Sequence, residues 1–514
     1  SVQAQIKLNN TVVFVRFADE AITGSDAVFQ TNTAAHYDSL FNSTTPGYNS
    51  VYNYFRQASY RRLDWRSRLI PAPVDGKVMS YRSKMERGYY QEQSSINPTG
   101  YPSGNATVME ARRSGLVKEV VKYLDKNLPA GYQVDGNNDG IVDNLTIVLS
   151  GTSALGNTHL LWPQRQNYIL GDSIQGKRVV SFLMVFDESN GFKLGAENPN
   201  MPLNTGVLCH EMSHNLGTYD LYHNAKDGLN PVGVWDLMSN IQPVAQHMTA
   251  YTKWRYCHWI DSIPTISTPG TYRLNPIGGD DSTKIAYKIQ PVGRREYFVI
   301  EYRKKEGFDA SLPESGLIVY RVNPDLTGGN LAYNGTTRLD EQYIFRPGGT
   351  TTSDGDLSRA AFSADNGRTA FGGAAAQRPF YSDGTEANFA IANIESNTKD
   401  KTLWSKEMAL AMKSDICLYW GTYCKYRTQA DNGKAADLTL ANKFFQECVN
   451  ASEQLMNSGK FSLYPGAVVN GKTYTIYNSI DLSNNPEIIF FRNYEKDMVS
   501  HPASLPDYTC GSTT

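Results

Sequence analysis

The stretch Leu208-Cys209-His210-Glu211-Met212-Ser213-His214-Asn215-Leu216-Gly217-Thr218-Tyr219-Asp220 decides how this chain is read. The spacing predicts a helix over Leu203 to Leu216, and Gly217 suits its C-terminal end. Helical positions i and i+4 share a face, so His210 and His214 can each turn a ring nitrogen towards one ion. Glu211 can reach a metal-bound water instead of the metal, take a proton from it and later hand one to a leaving amine. Gly217 lets the chain turn sharply, and Asp220, six residues past His214, can return to the ion as third ligand. The whole reads HExxHxxGxxD, which predicts one catalytic Zn2+ held by His210, His214 and Asp220. His223 is the alternative third ligand. Glu301 would serve only if that ligand came from a distant helix, and EYFVIEYR (296–303) reads as a strand.

Working outward, TVVFVRFA (11–18), LTIVLSG (145–151) and VVSFLMVF (179–186) read as buried strands. Ser50 to Leu63 and Val108 to Leu128 carry apolar residues at helical spacing. From about 270 to 398 short apolar runs alternate with Gly, Pro, Asp and Asn, as in β-rich structure. Two long amphipathic helices are expected over Trp404 to Arg427 and Ala436 to Asn457, with a domain boundary near 399–403. The expected class is α+β: a catalytic domain over 1–265 with a mixed sheet and an active-site helix, a β-rich region over 266–400, and a helical segment over 401–514.

A net charge of −2 over 514 residues gives no field that would draw nucleic acid or an anionic membrane. No apolar run approaches the roughly 18 residues that a bilayer span needs. The chain begins at Ser1 without a signal peptide, so any export signal is expected to have been removed or left out. The six cysteines form no CxxC pair, which argues against a thiolate zinc knuckle, and buried thiols are expected. His159, His247 and His258 read as structural or surface residues, and Arg61-Arg62 as a solvated turn.

A second metal site is suggested by DGNNDGIVD. Asp135, Asn137, Asp139, the carbonyl of Ile141, and Asp143 follow the alternating oxygen spacing of a Ca2+ loop, with Gly140 at its turn. Position twelve is Thr146 instead of glutamate, so the ligand set is incomplete, and the competing reading is an Asx-rich turn into a strand.

Beyond the helix, VGVWDLMS (232–239), SVYNYFRQASYRRLDW (50–65) and EYFVIEYRKKEGFDASLPESGLIVYRV (296–322) extend the pattern. Together with HEMSHNLGTYD they resemble the immune-inhibitor-A family of secreted zinc metallopeptidases over about residues 11–398. The resemblance implies a metzincin-like fold, an extended protein or peptide substrate crossing the metal, and Met238 as the structural methionine of a Met-turn. Gln164 stands where the family often has a histidine, and Asn240 where many metzincins have a tyrosine. Those two roles are not carried over.

The tail departs from this. MALAMKSDICLYWGTYCKYR (408–427), NKFFQECVNASEQLMNSGKFSLYP (442–465) and NPEIIFFRNYE (485–495) resemble an internal slice of the SusD-like nutrient-binding lipoproteins. That resemblance implies glycans or an outer-membrane transporter as partners, and a secreted, cell-surface or outer-membrane address in a Gram-negative bacterium. A real fusion, a truncated chain and a join between two genes are all open, and a helical appendage is the plainer reading. The expected function is a secreted zinc endopeptidase. The alternatives are a glycan-binding surface protein with a decayed metal site and a metal-dependent esterase or amidase.

Overall fold

A computed structural model describes residues 5–461 except 21–28, 30–31, 152–159, 189–190, 194–195, 199–201, 224–226, 331–339, 396–405 and 430–432. His159, Cys510 and the segment 485–495 lie outside the described residues. The chain is mixed α+β and divides into two compact units, Ser1–Glu395 and Ser396–Thr514.

The first unit is built on a six-stranded sheet. Its strands are β1 (Ile6–Arg16), β2 (Leu63–Leu69), β3 (Ser80–Arg82), β4 (Asn144–Leu149), β5 (Gln164–Asn167) and β6 (Ser181–Phe186). The order is β2-β1-β4-β6-β5, with β3 also paired to β1. Every pairing is parallel except β5 with β6, which is antiparallel and leaves β5 at the edge.

The two-residue period of a strand sorts the side chains onto two faces. Val13 and Val15 of β1 join Leu145, Ile147, Phe182 and Met184 against Leu116, Val120 and Leu124 of α3 (Ala106–Asn127). Val12 and Phe14 face the other way with Val148, Leu183 and Val185. There they meet α1 (Ala34–Asn42), α2 (Val51–Ala58) and α4 (Thr205–Ser213) through Tyr37, Phe41, Tyr54, Phe55 and Met212. The strands read as continuous apolar runs because both faces are covered.

A four-stranded antiparallel sheet follows, in the order β7 (Ala286–Ile289), β8 (Tyr297–Arg303), β9 (Gly316–Val322), β10 (Gln342–Ile344). One face carries a separate aromatic core with Phe298, Tyr343, Phe345, Phe362 and Phe371. The other adds Val299, Ile318, Tyr320 and Ile344 to the core that already holds α4 and Met238. The β-rich segment therefore shares its interior with the preceding residues. Between them lies α5 (Ala250–Arg255), and Glu301 of β8 accepts the Ala250 N–H at 2.7 Å and the Tyr320 hydroxyl at 2.9 Å.

The second unit contains α6 (Lys406–Tyr426) and α7 (Leu438–Asn457) packed on each other. Gly421 admits the Phe445 ring, which a Cβ would meet at 2.7 Å. Ser414 and Ser452 share a hydrogen bond of 2.7 Å.

Arg303 is fully buried, and its guanidinium bonds both oxygens of Asp309 at 2.8 Å and the carbonyl of His247 at 3.0 Å. Removing one partner of such a pair strands a charge away from water. Asp309→Ala is therefore expected to cost the first unit about 3–5 kcal/mol, read from urea unfolding followed by tryptophan fluorescence.

Candidate metal centre

Helix α4 is held at its start by Asn204, whose side chain accepts the Val207 N–H at 3.0 Å. Gly206 lies so close to the segment after Met238 that a Cβ there would stand 1.7 Å from the Gln242 carbonyl oxygen. The helix is shorter than its spacing predicts. It ends at Ser213, and His214–Leu216 continue as a 3-10 turn closed by Gly217 at φ 93°. The Gly217 N–H donates to the His214 carbonyl at 3.1 Å, which tightens the last turn.

The two histidines are oriented from behind. His210 Nδ1 is 2.9 Å from the Leu237 carbonyl oxygen, and His214 Nδ1 is 2.9 Å from that of Thr218. A carbonyl only accepts, so each Nδ1 carries the hydrogen and each Nε2 is left to act as a ligand. Both Nε2 atoms approach one atom, Asp220 Oδ1, at 3.1 Å from His210 and 3.4 Å from His214. That oxygen is buried and has no hydrogen bond. Ligand atoms on a tetrahedral ion with bonds of about 2.0 Å stand about 3.3 Å apart. The donor set therefore fits a zinc ion, which would be held by the two Nε2 nitrogens and the Asp220 carboxylate oxygen.

Charge points the same way. Burial opposes an imidazolium at His210, yet its contact with Asp220 foremost, and the Glu211 carboxylate nearby, push it up to about 9. Burial would raise Asp220, but the two imidazoles hold it well below the ordinary carboxylate range. The carboxylates of this cluster would be met by a cation.

Glu211 also has an atom within 4.8 Å of ligand atoms of both histidines, the one such three-residue cluster of His, Cys, Asp or Glu found among the described residues. Its environment differs from that of Asp220. Burial raises its carboxyl pKa, and the two histidines lower it. Tyr222 adds the hydroxyl of a half-buried side chain beside the Asp220 and Glu211 carboxylates, and desolvation foremost raises its pKa.

Met238 is fully buried. Its N–H donates to Asp236 at 2.8 Å, and its carbonyl accepts the Leu221 N–H at 2.7 Å. The turn at 235–238 thus holds His210 through Leu237 and the Asp220 segment through Met238. A buried amide ladder supports the far end of α4: Asn10 accepts from Asn144 at 2.7 Å, Asn144 from Asn215 at 2.6 Å, and Asn215 from Arg165 at 2.8 Å.

The other predicted residues lie elsewhere. His223 is clamped between Asp227 at 2.7 Å and Asp340 at 2.6 Å, one on each ring nitrogen, and is spent as a ligand. Glu301 is buried in β8. Gln164 donates to the Leu160 and Trp162 carbonyls, and the Asn240 N–H to that of Gly233. Cys209 is a buried free thiol.

In the 135–143 loop, Asp135 accepts the Asp139 and Gly140 N–H groups, Asn137 that of Asp139, and Asp139 that of Ile141. Lys177 pairs with Asp135 at 2.8 Å. Asp143 accepts the Asn9 and Gly136 N–H groups at 2.7 Å, and burial with the nearby Asp135 and Asp139 pushes it up to about 6. The three carboxylates do not gather ligand atoms within 4.8 Å of one another. The Leu237 and Thr218 carbonyls were not legible as site groups, because backbone contacts leave no residue-type signature.

Compared with models of protein families and with curated proteins, the chain matches none.

Burial disfavours the charged ring of His223, but Asp340 and Asp227 raise its pKa overall. Such a group stabilises the fold fully below its unfolded value, about 6.5, and loses that contribution as pH rises through the folded value. The destabilisation caused by His223→Gln, measured by urea unfolding, is therefore expected to be larger at pH 6 and to shrink as pH is raised.

Proposed function

We propose that the chain is a zinc-dependent endopeptidase of metzincin-like type, with His210, His214 and Asp220 as metal ligands and Glu211 as the proton-transferring carboxylate. One observation carries this reading. Two imidazoles with committed Nδ1 hydrogens aim their Nε2 atoms at a buried carboxylate oxygen that has no hydrogen bond. When bound, zinc supplies the Lewis acidity that brings water into play as a nucleophile near neutral pH and polarises a carbonyl.

The chain's own residues do the rest. Glu211, its pKa raised by burial, accepts a proton from the attacking water and returns it to the leaving amine. Leu237 and Thr218 hold the imidazoles in one tautomer throughout. Tyr222 offers a protonated hydroxyl beside the two carboxylates.

The sheet edge supports an extended polypeptide as the substrate class. Tyr168 N–H bonds the Val180 carbonyl at 2.8 Å, and Gln164, Arg165, Gln166 and Asn167 oppose Met184, Leu183, Phe182 and Ser181. Antiparallel alternation then turns the N–H and C=O groups of Arg165 and Asn167 away from β6. An edge beside Glu211 with main-chain groups facing outward suits an extended polypeptide added as a further strand. The secreted or cell-surface address belongs to the same proposal and rests on the family resemblance.

The test is hydrolysis of casein. Wild type is expected to be active, chelator-treated enzyme inactive, and zinc to restore it. Glu211→Gln is expected to lower kcat by about 10²–10⁴-fold while keeping one zinc per chain. An active Glu211→Gln enzyme, or activity that survives complete metal removal, would sink the proposal.

A further inference from the structure

Asp220 lies on a loop, and a loop ligand is only as well aimed as its backbone is held. Its carbonyl accepts the Asn330 N–H at 2.9 Å, and the Leu221 carbonyl accepts the Asn330 side-chain amide at 3.0 Å. The Leu221 N–H goes to Met238, so both polar groups of Leu221 are taken. Asn330 is 1% exposed and comes from the connection between β9 and β10.

Asn330 is itself fixed by Gln342, with its amide donating to the Gln342 carbonyl at 2.9 Å and its oxygen accepting the Gln342 N–H at 3.1 Å. The Gln342 side chain meets the Thr249 and Thr252 hydroxyls at 2.7 and 3.0 Å, and Thr252 bonds Asp236 at 2.9 Å. Asp236 holds the Met238 N–H. The circuit therefore closes on itself: Asp220–Leu221, Asn330, Gln342, Thr249 and Thr252, Asp236, Met238, and back to Leu221. Gly329 presses the connection against the ligand. At φ 72° a Cβ there would stand 2.1 Å from the Asp220 carbonyl oxygen.

Resting on the zinc reading above, we propose that Asn330 is a positioning residue for the third metal ligand, fixing the Asp220 backbone so that its carboxylate completes the site. Asn330 touches neither the ion nor the substrate. It acts through Asp220, and its loss costs metal affinity before it costs chemistry.

The experiment measures the zinc dissociation constant of the full chain by competition with a chromophoric chelator, for wild type, Asn330→Ala, Asp220→Ala and the double variant. Asn330→Ala is expected to weaken zinc binding by about 10- to 100-fold. The double variant is expected to bind no more weakly than Asp220→Ala, since a residue that acts through Asp220 has nothing left to position. Asn330→Ser, which leaves less of a polar void, replaces the alanine variant should that fail to fold. Wild-type affinity in the Asn330 variants, or the same penalty repeated in the Asp220→Ala background, overturns the proposal and leaves the zinc reading intact. A wild-type chain that binds no zinc, or an Asp220→Ala variant that binds it as wild type does, overturns the underlying ligand assignment and this proposal with it.

Discussion

Two backbone carbonyls, those of Leu237 and Thr218, take the Nδ1 hydrogens of His210 and His214, and much of the first unit is arranged so that they can. A histidine whose Nδ1 hydrogen has no acceptor can flip its ring or change tautomer, and its Nε2 is then no longer reserved for a ligand. Thr218 is where it is because Gly217 turns the chain back at a positive φ. Leu237 is where it is because Asp236 gathers the amides of Met238 and Thr249. The ligand atoms meet at 3.1 and 3.4 Å as a consequence of these backbone placements.

Buried polar groups make up an unusual share of this scaffold. Arg303, Glu301, Asp309 and Asp236 are withdrawn from water between the second sheet and the Met238 turn. Their hydrogen bonds go largely to main-chain groups, such as the His247 carbonyl and the Ala250 and Thr249 amides. An apolar core would tolerate sliding here. Directional bonds to named backbone atoms fix one arrangement, and every partner removed leaves a group in an environment that penalises it. The β-rich segment is thereby part of the site's support, which explains why it shares a core with α4.

Edge and centre divide the labour in the large sheet. The central strands β1, β4 and β6 are apolar on both faces and carry the weight of the core. The edge strand β5, by contrast, is polar, antiparallel and short, and its outward main-chain groups stand next to Glu211. A strand with one side unpaired is a template for another chain, and here the template lies beside the proposed proton-transferring carboxylate.

The sequence by itself determined the local elements and the residue types of the proposed ligands. The apolar runs at 11–18, 145–151 and 179–186 became central strands because nothing but a doubly covered sheet buries such runs. The i, i+4 spacing of His210 and His214, the turn at Gly217 and the return of Asp220 could be read directly, since helical geometry and glycine's freedom are local properties. Tertiary structure alone decided what aims those ligands. Leu237, Thr218 and Asn330 act through backbone atoms or across more than a hundred residues, as Asn330 does to Asp220. It also places His223, the alternative third ligand, between Asp227 and Asp340. The carboxylates of the 135–143 loop turned to their own amides and to Lys177 instead of towards one point. Ligand type is a property of a residue, but convergence is a property of the fold, because the directions of side chains far apart in sequence are set only when their backbones are packed together.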